Sequence, residues 1–209
     1  NHGNVGLPAG GMGSVTEALA QTARNYGVTI KTDMPVKKII IQNGQVAGIE
    51  TTGGKTFSSP LVISNADPKS TIMCLVSPRN VETGFTRRVH NIRIHGNAAK
   101  LHLALDSLPT IKGLDRKDFG ERMLITPDEN YVERAFNPAK YGEFSPSPVL
   151  EITFPSVHDS SLAPAGKHVL SAIVQYAPYK LKGGWTDATR DKFTKIAIDK
   201  LTDYAPDLP

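Results

Sequence analysis

Cysteine is almost missing from this chain: Cys74 is the only one, so no internal disulfide can form. Its neighbours Ile72, Met73, Leu75 and Val76 predict a buried, inert thiol. A reducing compartment fits, either the cytoplasm or, in a eukaryote, the mitochondrial matrix. No run approaches the roughly 18 consecutive apolar residues of a membrane-spanning helix, and no charged-then-apolar leader opens the sequence. Peripheral contact with a membrane stays open. Nor is there a large surplus of one charge: 24 basic residues stand against 20 acidic ones, a formal charge of +4. Only Lys37-Lys38, Arg87-Arg88 and Arg116-Lys117 are adjacent, the pattern of a solvated surface and not of a nucleic-acid footprint. The histidines His2, His90, His95, His102, His158 and His168 contain no HxxxH pair, and no cysteine cluster accompanies them, so no metal site is expected. A Gly-x-Ser-x-Gly elbow is also absent, which argues against a serine hydrolase.

What remains is material for a real core, with 39% hydrophobic residues over 209. The most legible stretch runs from Gly10 to Pro68. Ser14 and Glu17 have the S-x-x-E spacing of a capping box. Val15, Ala18, Leu19, Thr22, Ala23 and Tyr26 follow on one helical face, and Gly27 sits where a left-handed C-cap residue is wanted. This predicts a helix over 15–26 with Ser14 as its N-cap. Val28 to Lys31 reads as a short strand, and Val36 to Ile41 and Val46 to Thr51 as a hairpin around Asn43-Gly44. Gly53-Gly54 turns the chain again. Leu61 to Ser64, apolar without alternation, reads as a strand covered on both faces, and Asp67-Pro68 closes the unit.

Beyond it, a helical stretch is expected through Ile72 to Leu75. Asn97 to Leu105 alternates, with Leu101, Leu103 and Leu105 on one side and Lys100, His102 and Ala104 on the other, as a half-buried strand does. Met123 to Thr126, Val149 to Phe154 and His168 to Tyr176 read as further strands. A helical segment contains Tyr131, Val132, Ala135 and Phe136. The polar loop Pro155 to Lys167 joins the last two strands, and Asp106 and Asp159 read as turn and loop carboxylates. A closing helix over 187–204 carries Phe193, Ile196, Ala197, Lys200, Leu201 and Tyr204 along one stripe. Strands and helices without regular βαβ alternation suggest an α+β unit whose mixed or antiparallel sheet has helices on one face.

The order of helix, strand, meander and apolar strand ending in Ser64-Asn65-Ala66-Asp67-Pro68 resembles the FAD-dependent oxidoreductases of the phytoene desaturase and flavin amine oxidase superfamily. Gly10-Gly11-Met12-Gly13 and Pro35-Val36 match their turn and adenine-contact positions. The segments Asn97 to Pro109 and Phe154 to Tyr179 resemble the phytoene-desaturase-like branch called pyridine nucleotide-disulphide oxidoreductase domain-containing proteins. An isolated GG-x-G is more often a flexible turn before a helix, and Val36 alone is an ordinary strand valine; the combination carries the resemblance. It implies residues 1–68 as the later portion of an α/β FAD-binding domain with a β-meander, and residues 69–209 as an incomplete substrate domain. It implies an internal fragment, since the family's opening Rossmann Gly-x-Gly-x-x-Gly is not here, and such a fragment would bind FAD weakly or not at all. Val36, Gly10, Gly11, Asn65 and Ala66 are the implied cofactor contacts. Met12, Ser14 and Tyr176 are the implied substrate contacts, with core packing an equal alternative for Tyr176.

Lys100 is the implied catalytic residue, matching a lysine that amine oxidases use to hold a water against flavin N5; an exposed lysine on a solvent face is the plain alternative. The implied activity is hydride transfer from a C–H bond of a small apolar substrate to FAD. Two alternatives stay open. One is an amine oxidase, which would need an aromatic cage from the 7% aromatic content. The other is a non-catalytic assembly module of the same fold. Apolar surface left exposed by a missing Rossmann half would also suit a homodimer.

Overall fold

In the computed structural model residues 7–208 are described, so His2 lies outside them. Packing divides the chain into two compact units, one of Ala23–Ile94 and one joining the stretch up to Thr22 with His95 onward. The division falls elsewhere than the 1–68 and 69–209 portions implied by the resemblance. Residues 69–94 pack with the meander, and the glycine turn belongs with the later part of the chain. No helix among the described residues is long and apolar enough to cross a membrane, and none of their His, Cys, Asp and Glu side chains gather into a possible metal site.

Helix α1 (Met12–Asn25) runs across that division. It starts before the expected N-cap. Ser14 lies inside it, and its hydroxyl donates back to the Gly11 carbonyl at 2.7 Å, so the capping box with Glu17 does not define the start. Gly11, at φ +78°, turns the chain into the helix, a conformation glycine adopts without penalty. The C-terminus is as expected: Gly27 is left-handed, its N–H donates to the Arg24 carbonyl, and the Val28 N–H donates to that of Ala23, a Schellman pair. The apolar stripe is not buried, however. Leu19 is 65% and Tyr26 85% exposed.

In the 23–94 unit, β1 (Val36–Gln42), β2 (Gln45–Thr51) and β3 (Thr56–Ser58) form an antiparallel meander. Asn43 and Gly44 both have positive φ, which matches the right-handed twist of the paired strands. Glu50 accepts from Lys37 at 3.0 Å and from Lys38 at 2.8 Å. The π-helical segment Ser70–Val76 packs on β1. Its apolar run occupies little more than one turn, so it cannot all face inward. Ile72, Met73, Leu75 and Val76 are half-buried while Cys74 is exposed, which corrects the expectation of a buried thiol. Helix α2 (Thr83–Asn91) follows, with the Glu82 carboxylate accepting from the Gly84 and Phe85 amides. Val28 to Lys31 and Leu61 to Ser64 have no regular secondary structure and join no sheet, and Ile63 is 89% exposed. A buried strand needs a neighbour on its ladder, and neither segment has one among the described residues.

The larger unit is built on a four-stranded antiparallel sheet in the order β4 (Ala98–Leu105), β7 (His168–Gln175), β6 (Val149–Thr153), β5 (Met123–Ile125). Its inner face brings Leu101, Leu150, Ile152, Leu170, Ala172 and Val174 against Phe193, Ala197 and Leu201 of α5 (Asp187–Thr202). Thr186 and Thr189 cap that helix reciprocally. Helix α3 (Tyr131–Phe136) packs Tyr131 and Ala135 on Val149, and Lys200 of α5 lies over the Tyr131 ring at 5.6 Å. The short helix α4 (Pro155–His158) lies in the β6–β7 connection, where the Ser156 hydroxyl accepts from the Val169 amide.

Gly48 shows how tightly the meander is drawn. At φ +145° a Cβ on it would fall 2.1 Å from the Phe57 carbonyl oxygen, which is backbone and cannot swing aside. Gly48→Ala is expected to lower the stability of the 23–94 unit by about 2 kcal/mol or more in chemical denaturation. Stability equal to that of the parent would contradict the β2–β3 contact.

Candidate flavin and substrate site

The pairing of β4 with β7 is continuous from Ala98 opposite Gln175 to Leu105 opposite His168. Since side chains alternate along a strand, the leucines that enter the core force Ala98, Lys100, His102 and Ala104 onto the outer face. Lys100 stands opposite Ile173, Ile173 opposite Glu151, and Glu151 opposite Leu124, so these four form one row across the sheet. Arg122 pairs with Glu151 at 3.0 Å. Lys100 is exposed and has no hydrogen-bond or ion-pair partner among the described residues. An ammonium on a partly apolar sheet face, without a partner among the described residues, is available to a ligand or a water.

The glycine turn belongs to the same unit. Asp159, in the β6–β7 connection, accepts from the Gly10 amide at 2.6 Å, from the Ser161 amide at 2.9 Å and from the Ser161 hydroxyl at 2.6 Å. Those bonds from Ser161 and then Gly10 hold its carboxyl below the usual carboxylate range. The Gly11 amide donates to the Pro8 carbonyl, and a Cβ on Gly11 would stand 3.2 Å from the Leu162 side chain. The anchoring role of Asp159 was not legible as chemistry, because its partner lies 149 residues away in sequence. Met12 is exposed and Ser14 half-buried at the start of α1. Tyr176 follows β7 and meets Phe136 edge-on, with centroids 5.0 Å apart, and it packs beside Tyr131, Ala135 and Val149. It shares a fold unit with Lys100, but its observed contacts are packing ones.

The remaining implied contacts lie in the 23–94 unit. Val36 opens β1 opposite Thr51, immediately before an irregularity in the pairing. Asn65 and Ala66 are exposed in the turn after Ser64. This turn is well tied: the Ser64 hydroxyl meets that of Thr71 at 2.8 Å, and Asp67 accepts from the Lys69 and Ser70 amides. The Ser70 hydroxyl and amide keep the Asp67 carboxyl below its ordinary value.

The chain's relatives bear on this geometry. The flavin containing amine oxidoreductase family matches residues 1–199. The chain belongs to that family. A rat pyridine nucleotide-disulfide oxidoreductase domain-containing protein 2 is 30% identical over 208 residues, covering 94% of this chain and 36% of the relative. A Myxococcus xanthus zeta-carotene-forming phytoene desaturase is 24% identical, over 81% of this chain and 31% of its own length. The crystal structure of a Methanosarcina mazei oxidoreductase superposes with a TM-score of 0.67 at 22% identity, over 95% of this chain and 40% of that one, and carries the likeness of fold. The chain thus spans about a third of these relatives.

Members of this flavin family carry FAD, and the residues described here fit parts of it. Val28, Ile30, Leu61 and Ile63 leave apolar side chains open to solvent in the 23–94 unit, as suits the flat rings of a dinucleotide. The Gly10 and Gly11 amides are already engaged within the chain, so this turn offers close backbone approach and not the N–H cradle that a pyrophosphate needs.

Because the carboxyl of Asp159 is lowered by folding, its anchoring is present at neutral pH and is lost as pH falls through the lowered value, below the roughly 3.9 of a free aspartate. Asp159→Ala should speed amide exchange at Gly10 at pH 7 while leaving exchange in β7 unchanged. Equal protection of Gly10 in the two proteins would contradict the anchor.

Proposed function

We propose that this chain supplies the substrate-facing sheet and part of the cofactor domain of an FAD-dependent oxidoreductase that takes a hydride from a substrate C–H bond. The observation that carries this reading is Lys100, on the outer face of the sheet and unpaired among the described residues, in a chain of the flavin family. When bound, the flavin accepts the hydride and later passes its electrons on.

The chain's own residues do the rest. The β4–β7 pairing fixes the backbone of Lys100 and the face its side chain leaves from, and from there the ammonium offsets negative charge that develops across from the sheet, or holds a water there. Ile173, Ala98 and Ala104 give that face apolar ground on which the carbon chain of a small substrate can lie. Asp159 holds the glycine turn close to Leu162, and Gly10, Gly11, Met12 and Ser14 present the start of α1 to cofactor or substrate. In the other unit, Val36, Asn65 and Ala66 are assigned to the cofactor. The desaturase named above makes zeta-carotene, and this supports an apolar substrate portion. The exposed thiol of Cys74 fits a reducing compartment, the cytoplasm or the mitochondrial matrix.

The test is Lys100→Met in the longer flavoprotein. Flavin content should stay intact while flavin reduction or its reoxidation by oxygen slows by roughly 10- to 100-fold in stopped-flow absorbance. Parent rates in both half-reactions would return Lys100 to the role of a solvent-facing lysine.

A further inference from the structure

At the open edge of β4 a pocket of about 460 Å³ is lined by Lys100, Arg190, Tyr179, Trp185 and Phe193, with Ala98, Ala99, Ala177, Pro178 and Thr194 completing its walls. All of these lie in the larger unit. The lining contains two cations and no carboxylate. Arg190 pairs at 3.0 Å with Asp187, which is outside the lining and 94% exposed, so the pair is weak in water and leaves most of the guanidinium donors available. Lys100 comes from the strand and Arg190 from α5, so the two charges stand on different walls.

The walls are aromatic and held in place. The Trp185 indole N–H donates to the Pro178 carbonyl at 3.0 Å. Its ring meets Phe193 edge-on and stacks near Phe144, with centroids 6.0 Å apart in each case. Tyr179 stacks on His95 at 5.1 Å, and its amide donates to the Gly96 carbonyl at 2.9 Å. Rings held by neighbours lose little freedom on binding. A pocket with aromatic walls and two cations but no carboxylate in its lining recognises a flat apolar body that ends in a planar anion.

We infer that this pocket binds an aryl-alkyl monocarboxylate, its carboxylate taken by Arg190 and its ring laid against Tyr179 and Trp185. The site goes beyond the flavin reading and does not depend on it, because no cofactor contact enters the argument. If Lys100 also serves the flavin, the same pocket gives the substrate a carboxylate end.

Trp185 is the only tryptophan in the chain, so its emission reports this pocket directly. In the 209-residue chain, 3-phenylpropionate should change that emission saturably, with half-saturation at about 1 mM or below. 3-Phenylpropan-1-ol and 3-phenylpropylamine should bind at least tenfold more weakly. Arg190→Gln should weaken the carboxylate tenfold or more and Arg190→Lys should restore part of the loss, while Lys182→Gln, outside the lining, should match the parent. No saturable change up to about 20 mM, equal binding of the alcohol or the amine, or an unaffected Arg190→Gln would each overturn the assignment. Because the comparison of the three probes is made on the parent chain, the inference is decided even if a variant fails to fold. Loss of flavin or activity in the longer protein would leave this result untouched.

Discussion

The antiparallel pairing of β4 with β7 is the constraint on which the rest of the larger unit depends. Its eight matched residue pairs decide which side chains enter the core and which remain outside. A slip of one residue would send Lys100 and His102 inward and expose three leucines. The leucine side is fastened by the α5 stripe of Phe193, Ala197 and Leu201, all nearly fully buried, and burying Phe193 and Leu201 stabilises the unit by about 1.5–3 kcal/mol each. The outer face, relieved of any packing duty around Lys100, can carry charge. The proposed role of Lys100 and the packing that stabilises the unit therefore fall on opposite faces of one strand.

Much of this could be read from the residues. The alternation of Asn97 to Leu105, the Asn43-Gly44 hairpin, the Gly27 stop of α1 and the stripe of α5 are all local signals, and each appears in the structure where the pattern places it. The errors have physical causes, some local and some in partners that lie far away in sequence. Ser14 has the spacing of a cap, but Gly10 is tied to Asp159 and the left-handed Gly11 turns the chain into α1, so the helix starts earlier. Leu61 to Ser64 has the composition of a buried strand without a ladder to join. Cys74 sits among apolar neighbours, yet a single turn of helix must point one residue outward. Helix α2 gave no signal because it buries only Val89 and is capped by a glutamate, a side chain outside the usual capping set. For the candidate site, Lys100 was legible from alternation plus resemblance, whereas Arg190 and Asp159 acquire their neighbours only through the fold.

The exposed apolar residues point the same way as the comparisons. Leu19, Tyr26, Leu61 and Ile63 are all more than half exposed, and relatives of the flavin family extend to nearly three times the length matched here. Apolar surface of this kind is normally covered in a working protein. The larger unit has its own core, and in the 23–94 unit Ile39 and Val89 are buried.

The most direct test of the central claim is a crystal structure of the longer protein with FAD bound. The account predicts that the face of the sheet bearing Lys100 and Ile173 turns toward the isoalloxazine ring, with the Lys100 ammonium one water away from N5, about 5–6 Å. A flavin lying away from that face, with Lys100 open to bulk solvent, would contradict it.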